Sequence, residues 1–127
     1  MATQVICLDT NYLILGLVPG SRESVELTAW IEGGETLVAP MPVWYEFLCG
    51  PVSARQVQAM RAFLQALIPF EEPQAAAAAA LFNATGRKRG TRVDAMIAAT
   101  AIVAGATLAT NNRKDFGMFT ASGLRLT

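Results

Sequence analysis

Histidine is absent from this 127-residue chain. Without imidazole, a Ser-His or Cys-His nucleophile, a histidine general base and every histidine-containing zinc site are excluded, so any hydrolytic chemistry has to run on carboxylates. Cysteine is nearly as scarce: Cys7 and Cys49 stand in apolar contexts without the spacing of a disulfide framework or zinc knuckle, and both are expected to be reduced core thiols. Net charge is missing too, ten Lys+Arg balancing ten Asp+Glu, so attraction to a polyanion has to be local rather than long-range. No Walker A loop or G-x-G-x-x-G turn marks a common nucleotide binder. The longest uncharged stretch, residues 95–112, is diluted by Thr100, Gly105, Thr107, Thr110 and two Asn, and falls short of the ~20 apolar residues of a membrane span. The first cation is Arg22, and Asp9 falls where a signal peptide needs an apolar run. A cytoplasmic protein without membrane contact is expected.

What is present is apolar: 53% hydrophobic against 16% charged residues, enough to bury one core. Length predicts a single domain over residues 1–127. Gln4-Val5-Ile6-Cys7-Leu8 reads as a strand, and Asp9-Thr10-Asn11 as the cap of a helix carrying Tyr12, Leu13, Leu15 and Leu17. Pro19-Gly20-Ser21 stops that helix, and another through Val25, Trp30 and Ile31 ends at Gly33-Gly34. Thr36-Leu37-Val38-Ala39 is a second buried strand. A short helix of residues 43–48 follows Pro40 and Pro42 and ends at Gly50-Pro51. Ser53 and Gln56 have capping-box spacing, and Val57, Met60, Leu64 and Leu67 form one stripe of the helical insertion they open. Ile68-Pro69-Phe70 is read as an edge strand. Residues 74–82 are an alanine-rich helix, 94–104 a helix closed by Gly105, 107–110 a third strand, and Asn111 to Asp115 a polar turn. Short strands alternating with longer helices predict a three-layer α/β/α domain with a mainly parallel sheet, whose ligand site lies beyond the carboxyl ends of the strands. Asp9 and Asn111-Asn112 stand at such ends.

The acidic residues carry the chemistry. In a helix over 94–104, Ile97, Ala98 and Ala101 share a face with Asp94, which places a carboxylate on apolar ground unless it serves only as an N-cap beside Arg92. Glu46 is the only charge between Glu35 and Arg55. Asp9 can cap a helix and Asp115 can occupy a turn, so singly each has an ordinary structural role. Together they supply several carboxylates at the ends of buried elements, and such a cluster is made tolerable by a bound ion or by raised pKa values. Oxygen donors select Mg²⁺ or Mn²⁺. Arg87-Lys88-Arg89 and Arg92 precede Asp94, and Arg113-Lys114 precede Asp115; a charge run can be only a solvated face, but cations bracketing acids also suit a phosphodiester.

Asp9-Thr10-Asn11, Glu46 within residues 43–50, Asp94 within residues 92–101, and Thr110-Asn111-Asn112 through Asp115-Phe116 together resemble, in order and over nearly the whole chain, PIN-domain ribonucleases of the VapC toxin type. The resemblance implies an α/β/α domain that binds one or two Mg²⁺ or Mn²⁺ ions and hydrolyses RNA. It matches Asp9, Glu46 and Asp94 to the family's acidic positions and leaves the fourth between Asn112 and Asp115, with Asp115 favoured as the acid. Asp9 and Asp94 would hold the principal ion; Glu46 and Asp115 would act through water or hold a second. Thr10, Asn11, Thr110 and Asn112 match the supporting polar neighbours. It further implies a homodimer and a small VapB-like antitoxin as partner, for which the Val57 to Leu67 stripe is one candidate contact. A regulatory, Mg²⁺-binding α/β module, or an idle PIN fold, is the alternative.

Overall fold

The computed structural model describes residues 3–127. β1 (Val5–Leu8) is buried along Ile6, Cys7 and Leu8, and Asp9 ends it by capping α1 (Thr10–Leu15), its side chain accepting from the Thr10 amide at 2.8 Å. Gly16 ends α1 where a Cβ would collide with Leu27 and with the Tyr12 carbonyl, so glycine here lets α1 approach α2 (Arg22–Glu32) closely. Ser21 caps α2 through the Ser24 amide. β2 (Thr36–Pro40) runs directly into α3 (Met41–Cys49), and α4 (Ala54–Phe63) opens with a capping box of Ser53 and Gln56. β3 (Ala66–Ile68), α5 (Glu72–Ala84), α6 (Arg92–Val103), β4 (Thr107–Ala109), α7 (Arg113–Phe116), a 3-10 turn (Gly117–Ser122) and β5 (Arg125–Leu126) complete the chain.

All strand pairs are parallel, in the order β3-β2-β1-β4-β5. Buried on both faces, β1, β2 and β4 read as continuous apolar runs, and the helices make the outer layers of the α/β/α fold. The chain moves outward in one direction from β1 to β3, then returns to place β4 on the other side of β1. The sheet therefore reverses its strand order between β1 and β4, where parallel sheets open a crevice at the strands' carboxyl ends. Asp9 and Thr110 are the residues that follow those two strands.

Several local expectations are corrected. Leu67 leaves the Val57, Met60, Leu64 stripe: α4 ends at Phe63, Leu64 turns extended, and Leu67 pairs with Ala39 in β3. The edge strand is thus residues 66–68 rather than 68–70, because Pro69 has no amide to extend a ladder. Cys7 is buried, but Cys49 is exposed; α3 buries Val43, Trp44 and Phe47, and the helical period turns position 49 outward. Both cysteines are free. Residues 113–116 form a helical turn rather than a polar turn alone, and β5, two residues long, is too short to show a period in the sequence.

Candidate active site

Asp9, Glu46 and Asp94, far apart in sequence, line one cleft of about 390 Å³ together with Thr10, Asn11 and Asn112. Each arrives from a different element: Asp9 from the end of β1, Glu46 from α3, Asp94 from the first turn of α6. Asp9 is buried and held on both oxygens, one accepting from the Thr10 amide and the other from the Thr110 hydroxyl at 2.7 Å. The Asp9 amide in turn donates to the Ala109 carbonyl at 3.0 Å, so β4 fixes both the backbone and the side chain of this residue. Thr110 also accepts the Asn112 amide at 2.9 Å. Glu46 is exposed and accepts from the Thr10 hydroxyl at 3.1 Å. Thr10 thus touches two of the three acids, and Thr110 ties the loop after β4 to the end of β1.

Asp94 is half-buried, and Thr91 rather than Asp94 occupies the N-cap position of α6. Burial raises the Asp94 pKa above its ordinary value, and the charges of Asp9, Asp115 and Glu46, in that order, raise it further. Arg92 does not relieve this field; its guanidinium lies 5.2 Å from the centre of the Phe82 ring. Among the described residues the ion pairs within 4 Å are Arg22 with Glu23 and Arg22 with Glu26, neither of which involves the cleft's acids. Asp115 is exposed and does not line the cleft, whereas Asn112 does; Asp115 acts on the site through its charge at Asp94.

This donor set fits a hard divalent cation, being all oxygen and short of positive charge. Among the described residues no three acidic or cysteine side chains are gathered tightly enough to enclose an ion alone. Burial, and then the Asp9 charge, push the Cys7 thiol far up, so it is not a nucleophile beside the site.

None of the six basic candidates lines the carboxylate cleft. Arg87 is bonded to Asn83 and lies over Phe82, Lys88, Arg89 and Lys114 are exposed, and Arg113 donates to the Thr127 carbonyl at 2.6 Å.

The residue missed from sequence is Glu23. It is buried, accepts from Asn111 Nδ2 at 2.9 Å and from Arg22 at 3.2 Å, while Arg22 also donates to Asn111 Oδ1. Hydrogen bonds from its own amide and from Asn111 hold its carboxyl below the usual range. No local signal in α2 announces this role, because the partner lies 88 residues away. Glu23 and Arg22 clamp Asn111, the neighbour of Thr110 and Asn112, and so brace the loop that holds Asp9. Glu23→Gln is expected to loosen this loop and lower the melting temperature at pH 7, since a carboxylate that accepts from Arg22 and Asn111 loses its charge; calorimetric scans check this, and an unchanged temperature would show that the pair does not brace the loop. Because the Glu23 pKa is lowered on folding, the carboxylate adds stability above its ordinary value of 4.5 that is lost as pH falls through the lower folded value.

The model of the PIN domain family matches residues 6–117. The fold is similar to a toxin-antitoxin complex from Klebsiella pneumoniae, with 30% identity, a TM-score of 0.68 and coverage of 87% of this chain and 89% of that one. It is also similar to VapBC2 from Rickettsia felis bound to a DNA fragment from its promoter, with 21% identity, a TM-score of 0.71 and 98% of each chain covered. For FitAcB from Neisseria gonorrhoeae the values are 24%, 0.67 and 96% of each chain. No curated protein sequence matches the chain. With the match running from β1 through α7, the chain belongs to the PIN domain family.

Proposed function

We propose that this chain is the toxin of a toxin-antitoxin pair, a Mg²⁺- or Mn²⁺-dependent endoribonuclease that hydrolyses RNA phosphodiester bonds. The observation that carries the reading is the field at Asp94: a half-buried carboxylate shares its surroundings with the charges of Asp9, Asp115 and Glu46, and no cation among the described residues is in ion-pair contact with it. The family match and the Klebsiella toxin-antitoxin complex at 30% identity support the biological role.

In this reading Asp9 and Asp94 would hold the principal ion, Glu46 would act through water or hold a second, and Asp115, outside the cleft lining, would act through its charge at Asp94. When bound, the ion lowers the pKa of a water and stabilises charge on the phosphoryl oxygens. The protein's own part is preorganisation. A carboxylate has about four acceptor positions; Thr10 and Thr110 occupy one on each oxygen of Asp9, fixing its plane while leaving the others for a ligand. The Thr10 hydroxyl occupies one position on a single oxygen of Glu46. Asn11 and Asn112 supply neutral amides at the rim, where an added charge would compete with the phosphate. Arg87, Lys88, Arg89, Arg92, Arg113 and Lys114 serve as phosphate contacts along the RNA outside the cleft. No helix among the described residues is long and apolar enough to cross a membrane, and the protein works in the cytoplasm. It acts as a homodimer silenced by a small VapB-like antitoxin.

Expression without the partner is expected to arrest growth, and Asp9→Asn to relieve the arrest. The purified chain should cut RNA with Mn²⁺ and stop in chelator. A harmless wild-type chain that cuts no RNA with either ion would identify an idle or regulatory metal-binding module instead.

A further inference from the structure

The turn between α5 and α6 gathers charge of one sign: residues 87–92 hold four of the chain's ten cations and no acid. Two of the four are seated on a ring. Arg87 and Arg92 each lay a guanidinium over Phe82, at 5.3 and 5.2 Å from its ring centre. The backbone is turned to reach it. Arg87 has a left-handed φ of 52°, the only non-glycine residue among those described to do so, and it follows Gly86 at 86°. Its amide closes the end of α5 on the Phe82 carbonyl at 3.0 Å, where a helix usually ends with an apolar contact. Here the contact is a guanidinium, tied also to the Asn83 side chain. A left-handed L residue is costly, and two cations against one ring repel each other. No carboxylate relieves them: among the described residues neither arginine has an ion-pair partner.

We infer that Phe82 holds Arg87 and Arg92 as a preorganised clamp for the phosphates of the RNA strand that crosses the carboxylate cleft; the identity of the ligand rests on the ribonuclease reading above. Stacking uses the face of a guanidinium and leaves its in-plane N–H donors for phosphate oxygens. Arg87 gives one such donor to Asn83, and Arg92 stands at the rim of an open hollow of about 270 Å³; both are exposed. Arginine loses much rotamer freedom when it is immobilised, so a ring that fixes it before the RNA arrives lowers the cost of binding. Lys88 and Arg89, exposed and off the ring, contribute charge alone. Phe82 is therefore a positioning residue. The clamp lies beside the chemistry: Arg92 opens α6, and Asp94 follows two residues later on the opposite side of the same turn, facing the cleft while Arg92 faces the hollow. A helix with its side chains is about 10–12 Å across, so a strand leaving Asp94 reaches the arginines by passing over the start of α6. Apart from Arg92 the hollow is lined by Ala78, Ala79, Phe82, Ala95 and Met96, with no polar side chain to read a base. The grip is thus on the backbone and independent of sequence.

Affinity for a single-stranded RNA, measured in chelator by fluorescence anisotropy over a range of salt, tests the clamp. Phe82→Leu keeps an apolar side chain and every charge; it should weaken binding roughly fivefold, the scale of two lost cation–π contacts, with the salt slope unchanged. Phe82→Tyr, which keeps the ring face, should bind as wild type does. Arg92→Ala should weaken binding and also lower the salt slope by about one. With Mn²⁺, Phe82→Leu and Arg92→Ala should raise KM and leave kcat unchanged, a split that lost packing alone would not give. Arg87→Ala and Arg92→Ala, both at exposed positions, decide the clamp even where Phe82→Leu does not fold. Wild type that binds and cuts RNA while these variants keep its affinity and KM overturns the clamp and leaves the nuclease reading standing. Wild type that binds RNA but cuts none overturns the nuclease reading alone, and wild type that does neither overturns both. If Arg92→Ala spares RNA affinity but weakens capture of a polyglutamate peptide, the arginines face an acidic protein partner, and the RNA assignment falls.

Discussion

Replacing Asp94 by Asn is expected to abolish Mn²⁺-dependent RNA cleavage, lowering the rate by more than about 100-fold, since losing even an outer partner of a metal ligand costs up to that much. The side chain keeps its shape and loses only charge, so the fold should survive. The sign of the stability change is the sharper test. The folded-state pKa of Asp94 lies above its ordinary 3.8, so the folded protein holds this proton longer than the unfolded chain does. The penalty of ionising the group therefore appears as pH rises through the folded-state value. In chelator at pH 7, Asp94→Asn should melt at or above the wild-type temperature. With excess Mn²⁺ the order should reverse, because an ion that binds only the folded wild type stabilises it by mass action. Calorimetric scans of both proteins, with and without Mn²⁺, check the crossover. A variant that melts lower in chelator, or one that still cuts RNA, would show that the acid is not crowded and does not hold the ion.

Phe47→Ala carries the largest stability effect. Phe47 is fully buried and packs on Trp44 at a ring-centre distance of 5.3 Å. Truncating such a ring costs about 3–5 kcal/mol, against a typical total of about 5–15 kcal/mol for a domain. The neighbouring Glu46 points outward from the same helix, so the buried face of α3 is what sets its place over the cleft. Urea unfolding should show the midpoint falling steeply, and Phe47→Leu, which refills most of the volume, should lose less. A loss below about 1 kcal/mol would mean that α3 is not seated by this ring.

The acids were legible because each breaks a pattern. Asp9 ends an apolar strand, Glu46 interrupts an apolar helix, and Asp94 shares a helix face with Ile97, Ala98 and Ala101. A carboxylate at such a position is costly enough to need a reason, and that cost is visible along the chain. Strand and helix order was readable for the same reason, through runs of buried residues on β1, β2 and β4. What failed was local: Leu67 continued a helical stripe but entered β3, and Cys49 sat among apolar neighbours yet faced outward. Period within one element does not reveal where that element stops or which of its faces is covered.

Residue order alone thus settled the class of fold, the absence of imidazole chemistry and the carboxylates on which any hydrolysis must rest. Folding in three dimensions decided the rest. The reversal of the sheet at β1 and β4 draws Asp9 and Thr110 to one crevice, puts Asn112 rather than Asp115 at its lining, and bonds Glu23 to Asn111. Those pairings join residues some 90 to 100 positions apart. Periodicity carries information only over a few turns of one element, whereas the charge and hydrogen-bond balance of a buried group is set by whatever the whole chain brings against it.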